Sequence, residues 1–132
     1  MTETEASLSN AWGRETHPLS EDHRRMILDE SGVAPEIAYE RGYRTATKRS
    51  QLTMFSKYQR RVPALVVPMY SPDGETVGHQ LRPDRPRVCD GEEVKYETPA
   101  GSRPILDIHQ RNAEAVRDAA VDLWITEGIK KA

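Results

Sequence analysis

By type and spacing, two sets of residues in this chain are suited to chemistry on a phosphate. The first is a single acid. Glu127 follows the apolar run Leu123-Trp124-Ile125-Thr126 and precedes Gly128, and a short strand ending in Glu-Gly presents one carboxylate at the edge of a parallel sheet, where ligands bind. One carboxylate so placed, with no companion near it in the sequence, makes Glu127 a catalytic candidate whose site is incomplete. The second set is basic. Arg41, Arg44, Lys48, Arg49, Lys57, Arg60 and Arg61 fall in a stretch that contains no acid, whereas residues 1–40 carry nine acids against three bases. The formal net charge of -2 hides this segregation. Clustered Lys and Arg create a field that attracts phosphate and releases its counterions. Tyr43, Phe55 and Tyr58 lie among the bases, as in surfaces where guanidinium groups meet phosphates and rings stack on bases. The bland alternative, a solvated helix face, normally mixes both signs of charge. Cys89 is the only cysteine and cannot form an internal disulfide, and with four scattered histidines it offers no zinc-ligand spacing.

These residues need elements to hold them. Residues 1–18 have no sustained period and read as a disordered or loosely tethered leader, the alternative being that Trp12 docks onto the body. Ser20 is suited to cap a helix of about ten residues that ends at Ser31-Gly32, and Pro35 to open a second short helix ended by Gly42. Two helices around a Ser-Gly turn leave a DNA-reading helix-turn-helix open, although the second is short and starts with acids. Leu52, Met54 and Phe55 are expected to anchor the basic block to a core. Ala64 to Tyr70 reads as a buried strand, Ser71-Pro72-Asp73-Gly74 as a turn, and Thr76 to Arg82 as the returning strand. Pro68 implies an edge or bulge at its amide, and Gly78 a place where something approaches closely. Residues 83–94 read as an exposed loop, Lys95 to Thr98 and Ile105 to Ile108 as short strands, and residues 110–120 as a surface helix or irregular connector. The expected fold is α+β, with short N-terminal helices before a small, mainly antiparallel sheet. It divides into a leader (1–18), a helical region with the basic block (19–60), a β-rich part (61–122) and a final strand segment (123–132). Hydrophobic residues make up 36% and charged residues 30% of the chain, and the mean hydropathy of -0.75 suits one small core with polar surroundings. No apolar run nears the roughly 18 residues of a membrane span, and the N-terminus lacks the pattern of a signal peptide. The expected location is cytoplasmic.

The order of hairpin, arginine, Lys-Tyr segment, turn and Glu-Gly resembles the catalytic core of bacterial and phage DNA primases. The matching positions are Val66 to Met69, Asp73, Gly74, Gly78, Arg82, Lys95, Tyr96, Thr98, Pro99, Glu127 and Gly128. Residues 31–44, 95–102 and 124–132 are also similar to a toprim-like group of uncharacterised replication proteins from plasmids, phages and mobile elements. The resemblance spans roughly residues 19–132. It implies that the chain ends at the first strand of a truncated toprim-like α/β domain. It also implies that Arg82 and Lys95 line a groove contacting template phosphates or a nucleoside triphosphate; otherwise they are strand-end charges paired with Asp84, Glu92, Glu93 or Glu97. Mg2+ is implied for the full-length family and no cofactor for this chain alone. It implies too that Glu127 is the first catalytic and Mg2+-binding carboxylate of a toprim site; two Mg2+ ions bridging phosphate oxygens need about three carboxylates around one pocket, and the Asp-x-Asp pair that completes the site has no counterpart here, nor does the zinc module of cellular primases.

The function expected on these grounds is that of the nucleic-acid-binding N-terminal portion of a primase-like replication protein, catalytically incomplete by itself. Single-stranded template DNA and nucleoside triphosphate are the implied partners, with a helicase or a downstream toprim portion as further ones and no membrane. The alternatives are a small, non-catalytic helix-turn-helix regulator and an interaction domain whose basic face binds protein.

Overall fold

The structure is a computed structural model in which residues 19–127 are described; the expected leader, Trp12 and the segment from Gly128 onward lie outside them. Ser20 begins the first helix as expected. Its hydroxyl accepts the His23 N–H at 3.2 Å, and Glu21 and Asp22 occupy the first turn, where carboxylates meet unpaired N–H groups. Helix α1 (Glu21–Arg24) continues as a wider π-helical stretch (Arg25–Glu30), in which the N–H of Ser31 reaches back to the Met26 carbonyl. Helix α2 (Pro35–Glu40) has its proline in the first turn.

Three strands, β1 (Arg44–Ala46), β2 (Ala64–Tyr70) and β3 (Thr76–Pro83), form an antiparallel sheet in that order. Alternation along β2 sends successive side chains to opposite faces, and both faces are covered. Leu65, Val67 and Met69 pack under the helices with Leu19, Ile27, Ala38 and Tyr43. Ala64 and Val66, with Leu81 and Ala46, pack against Leu52 and Phe55. These last two come from a segment of short 3-10 turns (Arg49–Leu52 and Lys57–Gln59). Coverage on both sides is why β2 is an unbroken apolar run rather than an alternating one. Pro68 sits two residues past Val66, the last β2 residue paired with β1, so its missing N–H leaves no gap in the ladder. The register shifts between Met69 and Tyr70. Gly42, at φ 69°, brings the chain from α2 into β1 where a Cβ would stand 2.8 Å from the Tyr70 hydroxyl.

The fold is therefore α+β, and four local expectations are corrected. Residues 83–94 are not a plain loop: β4 (Arg87–Cys89) and β5 (Glu92–Val94) form a second hairpin. Its tip, Asp90-Gly91, has φ of 51° and 80°, the conformation two-residue hairpin turns require. The expected strand Lys95 to Thr98 shrinks to one bridge, Leu81 to Glu97. Ile105 to Ile108 is extended without strand pairing, tied by an Ile108 N–H bond of 3.0 Å to the Tyr70 carbonyl. Leu123 to Ile125 is not a strand either: it pairs with no strand of the sheet, and its side chains stay exposed. After Asp107 come a 3-10 turn (Gln110–Asn112) and helix α3 (Ala113–Val116). Among the described residues no helix is long and apolar enough to cross a membrane.

Candidate nucleic-acid interface

The basic block does not act as one unit. Arg41 ends α2 and turns inward to a depth of 4% exposure. There it pairs with Asp107, and its guanidinium lies 5.3 Å from the Tyr70 ring centroid. Asp107 also accepts the Tyr70 N–H at 2.9 Å. Burial pushes the neighbouring Tyr43 hydroxyl above its usual pKa. Arg41 is thus withdrawn from the expected surface, because its charge is spent on a buried carboxylate.

Arg49 and Arg60 stay at the surface as staples. Arg49 donates to the carbonyls of Arg60 at 2.7 Å and Lys57 at 2.9 Å, and Arg60 donates to the Phe55 carbonyl at 2.9 Å. Arg61 reaches the Arg85 carbonyl at 3.4 Å. These bonds to neutral groups hold the turns under the sheet and leave each positive charge uncompensated. Lys48 and Lys57 are exposed and Arg44 is half-buried. Of the seven bases, Arg41 alone forms an ion pair among the described residues. Elsewhere arginines do find acids: Arg87 with Glu97, Arg111 with Glu40, Arg117 with Asp73.

The aromatic residues of the block are not a stacking platform. Tyr43 and Phe55 are core residues, and Tyr58 has the Arg87 guanidinium 4.9 Å from its ring centroid. Arg82 is held by Tyr96, whose hydroxyl accepts at 3.0 Å and whose ring centroid lies 5.3 Å away. Lys95 is exposed, and neither it nor Arg82 forms an ion pair with Asp84, Glu92, Glu93 or Glu97.

Two polar constellations were invisible in the sequence. In one, Glu97 is buried under β3 and accepts from Arg87 at 2.6 and 2.9 Å; the bond to Glu97 raises the Arg87 pKa. Gln59 lies beside it, donating to the Thr98 carbonyl at 2.7 Å and accepting the Ala100 N–H at 3.2 Å. In the other, buried His23 bridges Thr45 at 2.7 Å and Asp84 at 2.6 Å. This has the order of a hydroxyl–imidazole–carboxylate relay, but the Thr45 oxygen already accepts the Ser20 N–H at 2.7 Å and His23 is 5% exposed. The trio pins α1 to the sheet.

Glu127 is exposed, and no group of three or more His, Cys, Asp or Glu side chains among the described residues is placed to hold a metal ion. The donor set present does not fit Mg2+, which takes several oxygen ligands in near-octahedral array. His79 lies half-buried beside the basic block; burial, and then the charge of Arg44, push its pKa below the ordinary value. No protein-family model, curated protein or solved structure matches this chain.

Proposed function

We propose that the chain binds single-stranded nucleic acid by its phosphate backbone, as the N-terminal portion of a cytoplasmic replication protein similar to toprim-class primases. The observation that carries this reading is the uncompensated charge of Arg44, Lys48, Arg49, Lys57, Arg60 and Arg61, joined by Lys95. Six bases without a carboxylate partner among the described residues repel one another, and a polyanion relieves that repulsion while releasing its counterions. Because Tyr43 and Phe55 are packed in the core and the exposed Tyr58 ring already carries the Arg87 guanidinium, contact is chiefly to phosphates and carries little sequence information. The reading assigns binding to these residues and no nucleotidyl transfer. A helix-turn-helix has no comparable support: α2 has six residues, and its Glu40 is engaged by Arg111.

Lys48, Lys57 and Lys95 are the residues to test, since none takes part in an ion pair that holds the fold. Fluorescence anisotropy of a labelled, single-stranded oligonucleotide should show affinity falling steeply between about 50 and about 200 mM salt. The triple alanine variant should keep the wild-type melting temperature and lower the log–log salt slope by roughly 2, about 0.7 per lost phosphate contact. No detectable binding at the lower salt concentration removes the reading.

A further inference from the structure

A cleft of about 560 Å3 runs along the outer edge of β3, between Val77 to Gln80 and the segment containing Thr98, Ser102, Arg103 and Ile105. Its volume falls within the range of small-ligand sites. Three features give it chemical character. First, β3 is the last strand of its sheet. Leu81 turns its N–H and C=O outward and exchanges both with Glu97 at 2.8 Å. The period of two gives His79 the same outward orientation, but the chain beyond Glu97 departs from the ladder, so a backbone donor and acceptor face the cleft. Second, Arg103 is exposed and forms no ion pair among the described residues, Thr98 and Ser102 line the same space, and none of the described residues that line it bears a carboxylate. Third, Gly78 lets Ile105 lie against the strand; a Cβ there would stand 2.7 Å from Ile105 Cδ1. Ile105 thus supplies an apolar surface beside the polar edge. Gln59, bonded to both Thr98 and Ala100, fixes the facing wall from the core side.

We propose that this cleft is a nucleoside-phosphate site. The edge of a base pairs with the N–H and C=O of His79, its ring rests on Ile105, and the phosphoryl group takes the Arg103 guanidinium with the hydroxyls of Ser102 and Thr98. A guanidinium forks onto phosphate oxygens in charge-assisted bonds, and a carboxylate-free lining leaves that attraction unopposed. This site is distinct from the basic block, which reads a run of phosphates and no single nucleotide. Two sources share the chemistry: a free mononucleotide and the terminal nucleotide of a strand.

Titration calorimetry on the whole chain tests it with adenosine monophosphate, adenosine and inorganic phosphate. The nucleotide should bind at one site per chain and at least about tenfold tighter than either part alone, because the base and phosphate contacts act together. Arg103→Gln should weaken nucleotide binding by about tenfold or more at an unchanged melting temperature, whereas a Lys48→Ala, Lys57→Ala double variant should bind the nucleotide as wild type does. Competition by an oligonucleotide with a terminal phosphate, absent with a terminal hydroxyl, would identify a strand end as the source; competition by neither would identify the free nucleotide. The proposal is overturned by an Arg103→Gln variant that binds the nucleotide normally, by inorganic phosphate binding as tightly as the nucleotide, or by no binding at millimolar nucleotide.

Discussion

Residues 19–100 bury most of their large apolar side chains, Tyr58, Val77 and Val88 excepted, whereas residues 103–127 leave most of theirs exposed. In the first region Leu52, Phe55, Leu65 and Leu81 are at most 1% exposed; in the second Leu106 is 67%, Leu123 65%, Trp124 87% and Ile125 73% exposed. The difference lies in what each segment is offered. Residues 49–59 lie across one face of β2 and the helices across the other, whereas residues 103–127 run beyond a sheet with both faces taken. Apart from Ile105, laid against Gly78, they are held by polar ties: Asp107 on Arg41 and on the Tyr70 N–H, Ile108 on the Tyr70 carbonyl, Arg111 on Glu40 and Arg117 on Asp73. One region is held chiefly by area removed from water, the other by a few charges, and of these the Arg41–Asp107 pair alone is buried on both sides.

The contrast breaks most visibly by removing one anchor of each kind. Phe55→Ala opens a cavity in a filled core and should cost about 3–5 kcal/mol. Asp107→Ala strands the Arg41 charge in the interior and should cost a similar amount, about 3–5 kcal/mol, far more than the pair itself contributes. Urea unfolding measures both, and hydrogen exchange separates them. In Asp107→Ala the Ile108 amide should lose protection ahead of the β2 amides, whereas in Phe55→Ala all should fall together. A cost below about 1 kcal/mol for Asp107→Ala would show that the second region is not held through Arg41.

The same difference explains what was legible in the sequence. The helices, the β2–β3 hairpin and the anchoring role of Leu52 and Phe55 could be read because each is encoded locally, by caps, a turn of Ser-Pro-Asp-Gly and a run of apolar residues. The β4–β5 hairpin was legible too, through Asp90-Gly91, but was obscured by the charge and proline around it. The place of Arg41 was not legible. Nothing distinguishes it from its six basic neighbours until Asp107, 66 positions away, arrives beside it. Glu97 and Gln59, 38 apart, are hidden in the same way. Leu123 to Ile125 misled for the converse reason: β-formers are necessary for a strand, but a free edge must also be within reach.

A smaller effect sharpens the comparison at the exposed end. Trp124→Ser should change stability by no more than about 0.5 kcal/mol, since the ring is almost wholly outside. In a Trp12→Phe background, which leaves Trp124 as the one tryptophan, the fluorescence maximum of the folded chain should already lie near that of the urea-unfolded one. A loss well above that figure would mean that the tryptophan covers part of the cleft of about 420 Å3 that it lines with Ile105 to His109, and the two regions would then share a core.

The smallest effect concerns the ties themselves and appears in pH dependence. The ring of His109 lies near Glu40, its Nε2 3.4 Å from Oε2 without the alignment of a hydrogen bond. Burial first, and then the positive charge of Arg41, lower its pKa from 6.5, with Arg111 acting in the same sense and Glu40 and Asp107 opposing. A histidine of lowered pKa binds its proton less readily folded than unfolded, so its contribution is complete above pH 6.5 and falls away as the pH drops below that value. Glu40 adds a second loss at lower pH. The hydrogen bond from Arg111, its largest influence, holds its pKa below 4.5, and that stabilisation disappears as the pH falls through the folded value. Urea midpoints measured from about pH 7.5 down to about pH 5 should therefore fall less in His109→Gln than in wild type, the other histidines cancelling in the difference. Arg111→Ala, followed further down to about pH 3, should narrow the upper window without abolishing it, since burial and Arg41 remain, and should flatten the lower one. Parallel curves for wild type and His109→Gln would mean that the ring is as well solvated in the folded chain as in the unfolded one, and that the second region hangs from Asp107 alone.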